Sequence, residues 1–84
     1  MKIIKRSGTE VLFDINKIIS AINSANNEIV ESERLSNNDI QEIADTVEKY
    51  CASATRELNV EEIQDLVENQ LMKKNAYAVA RKYI

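Results

Sequence analysis

Apolar positions along the chain follow two periods, first an alternation of two and then a helical spacing. The opening stretch "KIIKRSGTEVLF" holds two β-rich runs, Ile3–Arg6 and Glu10–Phe13, on either side of Ser7-Gly8. Gly8 can take the positive φ that a two-residue hairpin loop requires. A Ser7-Gly8 loop would set Lys5 opposite Glu10 and Arg6 opposite Thr9. A two-stranded hairpin is not stable alone, so one face of it must pack on helices.

The helical period begins at "DINKIISAINSANN". Asp14 suits an N-cap, and Ile15, Ile18, Ile19, Ile22 and Ala25 form a stripe at helical spacing, with Asn26 and Asn27 at its end. "EIVESERL" reads as a connection with room for a short helical turn. The second pattern, "SNNDIQEIADTVEKYCASA", opens with Ser36 as cap and Asp39 as the acid of a capping box. Its stripe runs through Ile40, Ile43, Ala44, Val47, Tyr50, Cys51 and Ala54. "RELN" reads as a short strand or a loop. A third helix follows, capped by Asn59 and Glu62, with Ile63, Leu66, Val67 and Leu71 inward and Lys73 and Lys74 at its negative end. "NAYAVARKYI" starts a fourth, with Ala76, Val79, Ala80 and Tyr83 inward. The expected fold class is α+β, mainly α: a four-helix cluster capped by a small β-sheet built on the N-terminal hairpin. The fourth pattern has no stop signal, so we expect residues 1–84 to be one domain at the N-terminal end of a longer protein.

Composition narrows the functions. With 84 residues, 44% apolar content and 30% charge, the chain reads as one small globular domain. There is no histidine, which removes the commonest general base and most zinc sites. The acids fall on solvated helix faces, so we expect no active site within this chain. A single cysteine excludes an internal disulfide and reads as a buried, inert thiol. No apolar run approaches the roughly 18 residues of a membrane span, and a signal peptide's apolar region is lacking, so the expected setting is cytoplasmic, with no membrane partner.

The net charge of −3 is unevenly spread. Residues 1–17 carry four bases against two acids, residues 28–68 three bases against twelve acids, and residues 69–84 four bases and no acid. That is too small a basic excess for nucleic acid, and Tyr50, Tyr77 and Tyr83 read as half-buried packing residues, not as a stacking platform. A small anion fits better. Lys5 and Arg6 end a strand, a helix N-terminus follows within a few residues, and Lys17 stands on that helix's first turn. A lysine supplies a point charge, an arginine a planar fork, and a helix N-terminus a favourable field, which together suit a polyphosphate. Against this, Asp14 as cap would use some of the free N–H groups and repel a phosphate placed directly on it. A solvated hairpin tip is the competing reading, and the residues alone leave the two about equal.

"IIKRSGTEVLFDINKIISAI", followed by "VEEIQDLVENQLM" and "AYAVARKYI", resembles the ATP-cone, the N-terminal nucleotide-binding domain of ribonucleotide reductase catalytic subunits. The resemblance covers essentially the whole chain. It is closest to class I subunits, with the anaerobic class next, and its specificity lies in the combination of these motifs.

The resemblance implies a helical bundle under a small mixed sheet, and an allosteric switch for overall reductase activity. ATP permits reduction in that family and dATP shuts it down, usually through quaternary structure. It implies ATP or dATP as ligand, accompanied by Mg²⁺. Carried over by motif, Lys5, Arg6 and Lys17 meet the phosphates, Asp14 lies near the sugar, and Ile3 and Ile18 border the nucleotide. Val60, Ile63 and Gln64 line the base pocket, with Val60 and Gln64 standing where some members have threonine and histidine. Implied partners are the rest of the catalytic subunit and its partner subunit or another cone. Two rival readings remain: a degenerate cone that acts only as a protein-interaction cap, and the cone of a nucleotide-sensing transcriptional repressor. The second carries a cysteine-rich zinc ribbon before the cone, and no such cysteines precede it here.

Overall fold

The computed structural model describes all 84 residues, Met1–Ile84. Strands β1 (Lys2–Ile4) and β2 (Glu10–Leu12) form the hairpin, and α1 (Ile15–Asn27) follows directly. A 3₁₀ turn at Glu31–Glu33 lies in the connection to α2 (Asn37–Ser53). The two-residue strand β3 (Leu58–Asn59) leads straight into α3 (Val60–Lys73), and α4 (Tyr77–Tyr83) ends the chain. This is the mainly helical α+β architecture expected. Sheet order is β2-β1-β3, with β1 antiparallel to β2 and parallel to β3. No helix is long and apolar enough to cross a membrane.

The hairpin differs from expectation by one residue. Ile3 pairs with Val11 and Ile4 with Glu10, so Lys5 stands opposite Thr9, not Glu10, and Arg6 has no strand partner. The loop is Arg6-Ser7-Gly8. Gly8 N–H donates to Lys5 O at 2.8 Å, Lys5 N–H donates to Thr9 O at 2.9 Å, and Gly8 has φ +88°. This is a three-residue loop closed by a left-handed glycine. A two-residue loop built on mirror-image turn geometry demands positive φ at both positions or at the first, and Ser7 does not adopt it. The shift matters because a one-residue slip changes which side chains share a face. The observed register sets Val11 beside Ile3.

Caps define the helices. Ser36 Oγ accepts Asp39 N–H at 3.1 Å, and Asn59 Oδ1 accepts Glu62 N–H at 2.8 Å, both within reciprocal capping boxes. At the far end of α3, Asn75 takes φ 59°, Asn75 N–H donates to Met72 O, and Ala76 N–H donates to Leu71 O at 2.9 Å. That left-handed cap turns the chain sharply, so α4 folds back against α1 and α3. Asn26, expected only as a helix end, is buried. Its side chain donates to Leu35 O at 3.0 Å and accepts from Leu35 N–H at 2.8 Å, pinning the α1–α2 connection.

One core joins all four helices and the sheet, with Ile22, Ile43, Val47, Val67, Leu71 and Val79 fully enclosed. Cys51 belongs to it, and burial, with Glu48 nearby, pushes its thiol pKa up, as an inert thiol requires. All three tyrosines were expected half-buried; Tyr50 and Tyr77 are about half exposed, at 53% and 51%, but only Tyr83 packs on the core, so Tyr50 leaves the expected α2 stripe. Tyr50 falls at the edge of the α2 stripe, where the rotation of the helix carries it out to solvent.

Leu71→Ala should cost about 2–5 kcal/mol in urea unfolding, because the site is fully enclosed. Gly8→Ala should cost about 1–2 kcal/mol through the backbone alone, since nothing lies within 4 Å of an added Cβ. Hydrogen bonds from the Arg56 side chain and the Asn59 N–H hold the Glu62 carboxyl down to about 2. Its folded pKa lies below the unfolded one, so its stabilisation is present above the ordinary carboxylate range and is lost as pH falls toward about 2. Glu62→Gln should therefore flatten the fall in stability measured by chemical denaturation across that acid range.

Candidate functional site

The parallel pairing of Ile3 with Leu58 and Ile4 with Asn59 sets the start of α3 beside the first strand. The hairpin, the first turns of α1 and α3, and the end of α4 then enclose a cleft of about 250 Å³. Its walls are mostly apolar: Ile3, Val11, Phe13, Ile18, Val60 and Ile63 among them. Four groups bring polarity: Lys5, Asp14, Lys17 and Gln64. An apolar cleft with a few convergent polar groups is the usual form of a small-molecule site.

A larger depression of about 560 Å³ lies beside Lys5 toward the hairpin tip, bounded by Arg6, Gly8, Asn59 and Glu61. The two adjoin at Lys5, Val60 and Gln64, which line both, as the inner and outer parts of a trough. Eight of the nine expected site residues line the inner cleft: Ile3, Lys5, Asp14, Lys17, Ile18, Val60, Ile63 and Gln64. The ninth, Arg6, is absent from the inner cleft: the three-residue loop carries it off the strand, onto the outer part and an adjoining depression lined by Glu61, Asp65 and Glu68.

The cations differ in their engagement. Neither Lys5 nor Lys17 forms an ion pair within the chain. Arg6 Nε donates to Glu61 Oε1 at 3.1 Å. Asp14 caps α1 by accepting the Asn16 N–H at 3.0 Å, and Lys17 N–H turns back to Asp14 O at 3.1 Å. Both of those backbone donors are satisfied internally, so α1 can offer an anion chiefly its field and the Lys17 side chain.

Val11, Phe13, Ala21 and Tyr83 also line the cleft and were not anticipated as site residues. The shifted register brings Val11 in, and the fold-back of α4 brings Tyr83 in. Phe13 had a readable signal: it stands between the hairpin and Asp14, where the chain must bend around the cleft. A second groove of about 560 Å³ lies between the α1–α2 connection and α4; two of its cations, Lys74 and Arg34, are engaged, while Arg81 and Glu33 carry no ion pair. Lys74 pairs with Asp39 and Glu42, and Arg34 donates to the carbonyls of Ile29 and Asn27.

Comparison with protein families matches residues 1–84 to the ATP cone domain. The chain belongs to the ATP-cone family. Among curated proteins it is similar to the ribonucleoside-diphosphate reductase subunit alpha of Chlamydia trachomatis serovar D, with 33% identity over 92 residues. It is similar also to the protein of the same description from Chlamydia muridarum, with 32% identity over 92 residues. Both alignments cover 100% of this chain and 9% of the relative. The chain thus spans about a tenth of the length of the curated relatives it matches.

Packing at the cleft wall can be tested without any ligand. Val60→Thr replaces one partly buried methyl by a hydroxyl of equal size at the first turn of α3, and should lower stability by about 1 kcal/mol. Urea unfolding with an unchanged m-value is the expected readout, since no element is lost.

Proposed function

We propose that the trough binds a nucleoside triphosphate, ATP or dATP, and that the domain thereby sets the overall activity of a ribonucleotide reductase catalytic subunit of which it forms the N-terminal part. The observation that carries this reading is the pair of lysines without protein partners, Lys5 and Lys17, on one otherwise apolar cleft. Membership of the ATP-cone family and likeness to reductase alpha subunits support it.

The chemistry divides along the trough. Ile3, Ile18, Val60 and Ile63 offer apolar surface to a base, and Gln64 offers an amide that can both donate and accept. Asp14 keeps one carboxylate oxygen free of protein partners, suited to a sugar hydroxyl. Lys5 and Lys17 neutralise phosphate charge, with Arg6 at the outer end. A Mg²⁺ travelling with the triphosphate would be held chiefly by phosphate oxygens and water, with Asp14 the one carboxylate lining the inner cleft.

The chain's part in regulation is binding and coupling, not catalysis. To act as a switch, each nucleotide must bind two states of the parent protein with different affinity, typically by about 1–3 kcal/mol. The reading is tested by calorimetric titration of ATP and dATP, with and without Mg²⁺. Lys5→Ala, Arg6→Ala and Lys17→Ala combined should weaken binding at least tenfold, because three charge-assisted contacts are removed. Binding that survives the triple substitution places the site elsewhere.

A further inference from the structure

We propose that Glu61 is an internal competitor for the nucleotide's phosphates: it holds Arg6 in the empty domain and releases it on binding. The inference rests on the nucleotide reading above and assigns a residue that sets affinity at the same site. Arg6 Nε donates to Glu61 Oε1 across the outer trough, tying the hairpin tip to the first turn of α3. Only that one nitrogen is engaged, and the two terminal nitrogens of the guanidinium meet no protein acceptor. Both side chains are largely exposed, at 84% and 61%, so the pair is weak and readily exchanged.

Position makes the competition direct. Arg6 follows Lys5, whose side chain borders both the inner cleft and the outer depression. Glu61 stands between Val60 and Gln64, which border both as well. A polyphosphate that extends from Lys17 past Lys5 therefore arrives beside a carboxylate of like charge. A phosphate carries more charge than a carboxylate and can take the terminal nitrogens of arginine as a fork. Arg6 then turns to the ligand, and the tie between hairpin and α3 is exchanged for one that runs through the bound nucleotide. Occupancy is thus reported at the hairpin tip, on the outside of the domain, where a neighbouring surface can sense it.

The test is a double-mutant cycle by calorimetry on the 84-residue chain, with MgATP, inorganic tripolyphosphate and adenosine as probes. Glu61→Gln should tighten MgATP and tripolyphosphate by about two- to five-fold, the range an exposed ion pair spans, and leave adenosine unchanged. In an Arg6→Ala background the same substitution should tighten binding less, since only the like-charge repulsion remains to be relieved. Tightening that persists undiminished without Arg6 makes Glu61 a general repulsive charge and overturns the exchange. Unchanged or weaker MgATP binding in Glu61→Gln also overturns it, since Glu61 would then be helping Arg6 meet the phosphates. A wild-type chain that binds no MgATP at millimolar concentration overturns the nucleotide reading and the exchange together. Normal binding that depends on Lys5 and Lys17 but shows no Arg6–Glu61 coupling overturns the exchange alone.

Discussion

The two hydrogen-bonded positions at which β1 meets β3 organise this molecule. Ile3 against Leu58 and Ile4 against Asn59 join segments more than fifty residues apart, and the pairing is parallel, so the intervening α1 and α2 must serve as the crossover. Asn59 is at once the last residue of β3 and the N-cap of α3. The first turn of α3 is therefore fixed to the central strand with no loop between them. That junction is what makes a trough between hairpin and helix, and it places Val60, Ile63 and Gln64 across from Ile3 and Lys5.

Such a short strand cannot hold the junction alone. Leu58 is buried in the common core with Ile63, Val67 and Leu71 of α3, which lock the helix face below the sheet. The reciprocal cap between Asn59 and Glu62 fixes the helix start, and Arg56 reaches the same Glu62 from the preceding turn. Sheet pairing, burial and capping thus converge on Leu58 and Asn59. The consistency of these local choices is what allows a two-residue strand to define a binding surface.

The helices, their caps and most of the core were legible in the sequence, because each rests on a local period or a short capping pattern. Ser36 with Asp39 and Asn59 with Glu62 are examples. What was less legible depends on distance or on one backbone angle. The hairpin register turned on whether Ser7 would take positive φ, and Ser-Gly is compatible with two loop lengths. Asn75 as a left-handed cap left no period to read, yet it decides that Tyr83 closes the end of the cleft. Lys5, Arg6 and Lys17 were read as candidate anion-binding residues from local charge, and the resemblance named the nucleotide and added the later "VEEIQ" residues. That these segments meet is a tertiary fact, and the single ion pair between Arg6 and Glu61 belongs to the same category.

Charge completes the account. Lys5 and Lys17 stand without ion pairs at one largely apolar cleft that also holds Asp14, while Lys74 and Arg56 are paired elsewhere. Unpaired cations beside apolar walls are suited to an amphipathic anion, and a nucleoside triphosphate has that form. The most direct measurement is a backbone amide NMR titration of the chain with MgATP. The account predicts saturable shifts at Ile3–Gly8, Asp14–Ile18 and Val60–Gln64, with the 28–35 connection unmoved. Saturable shifts centred on that connection and α4, or no shifts at millimolar MgATP, would contradict it.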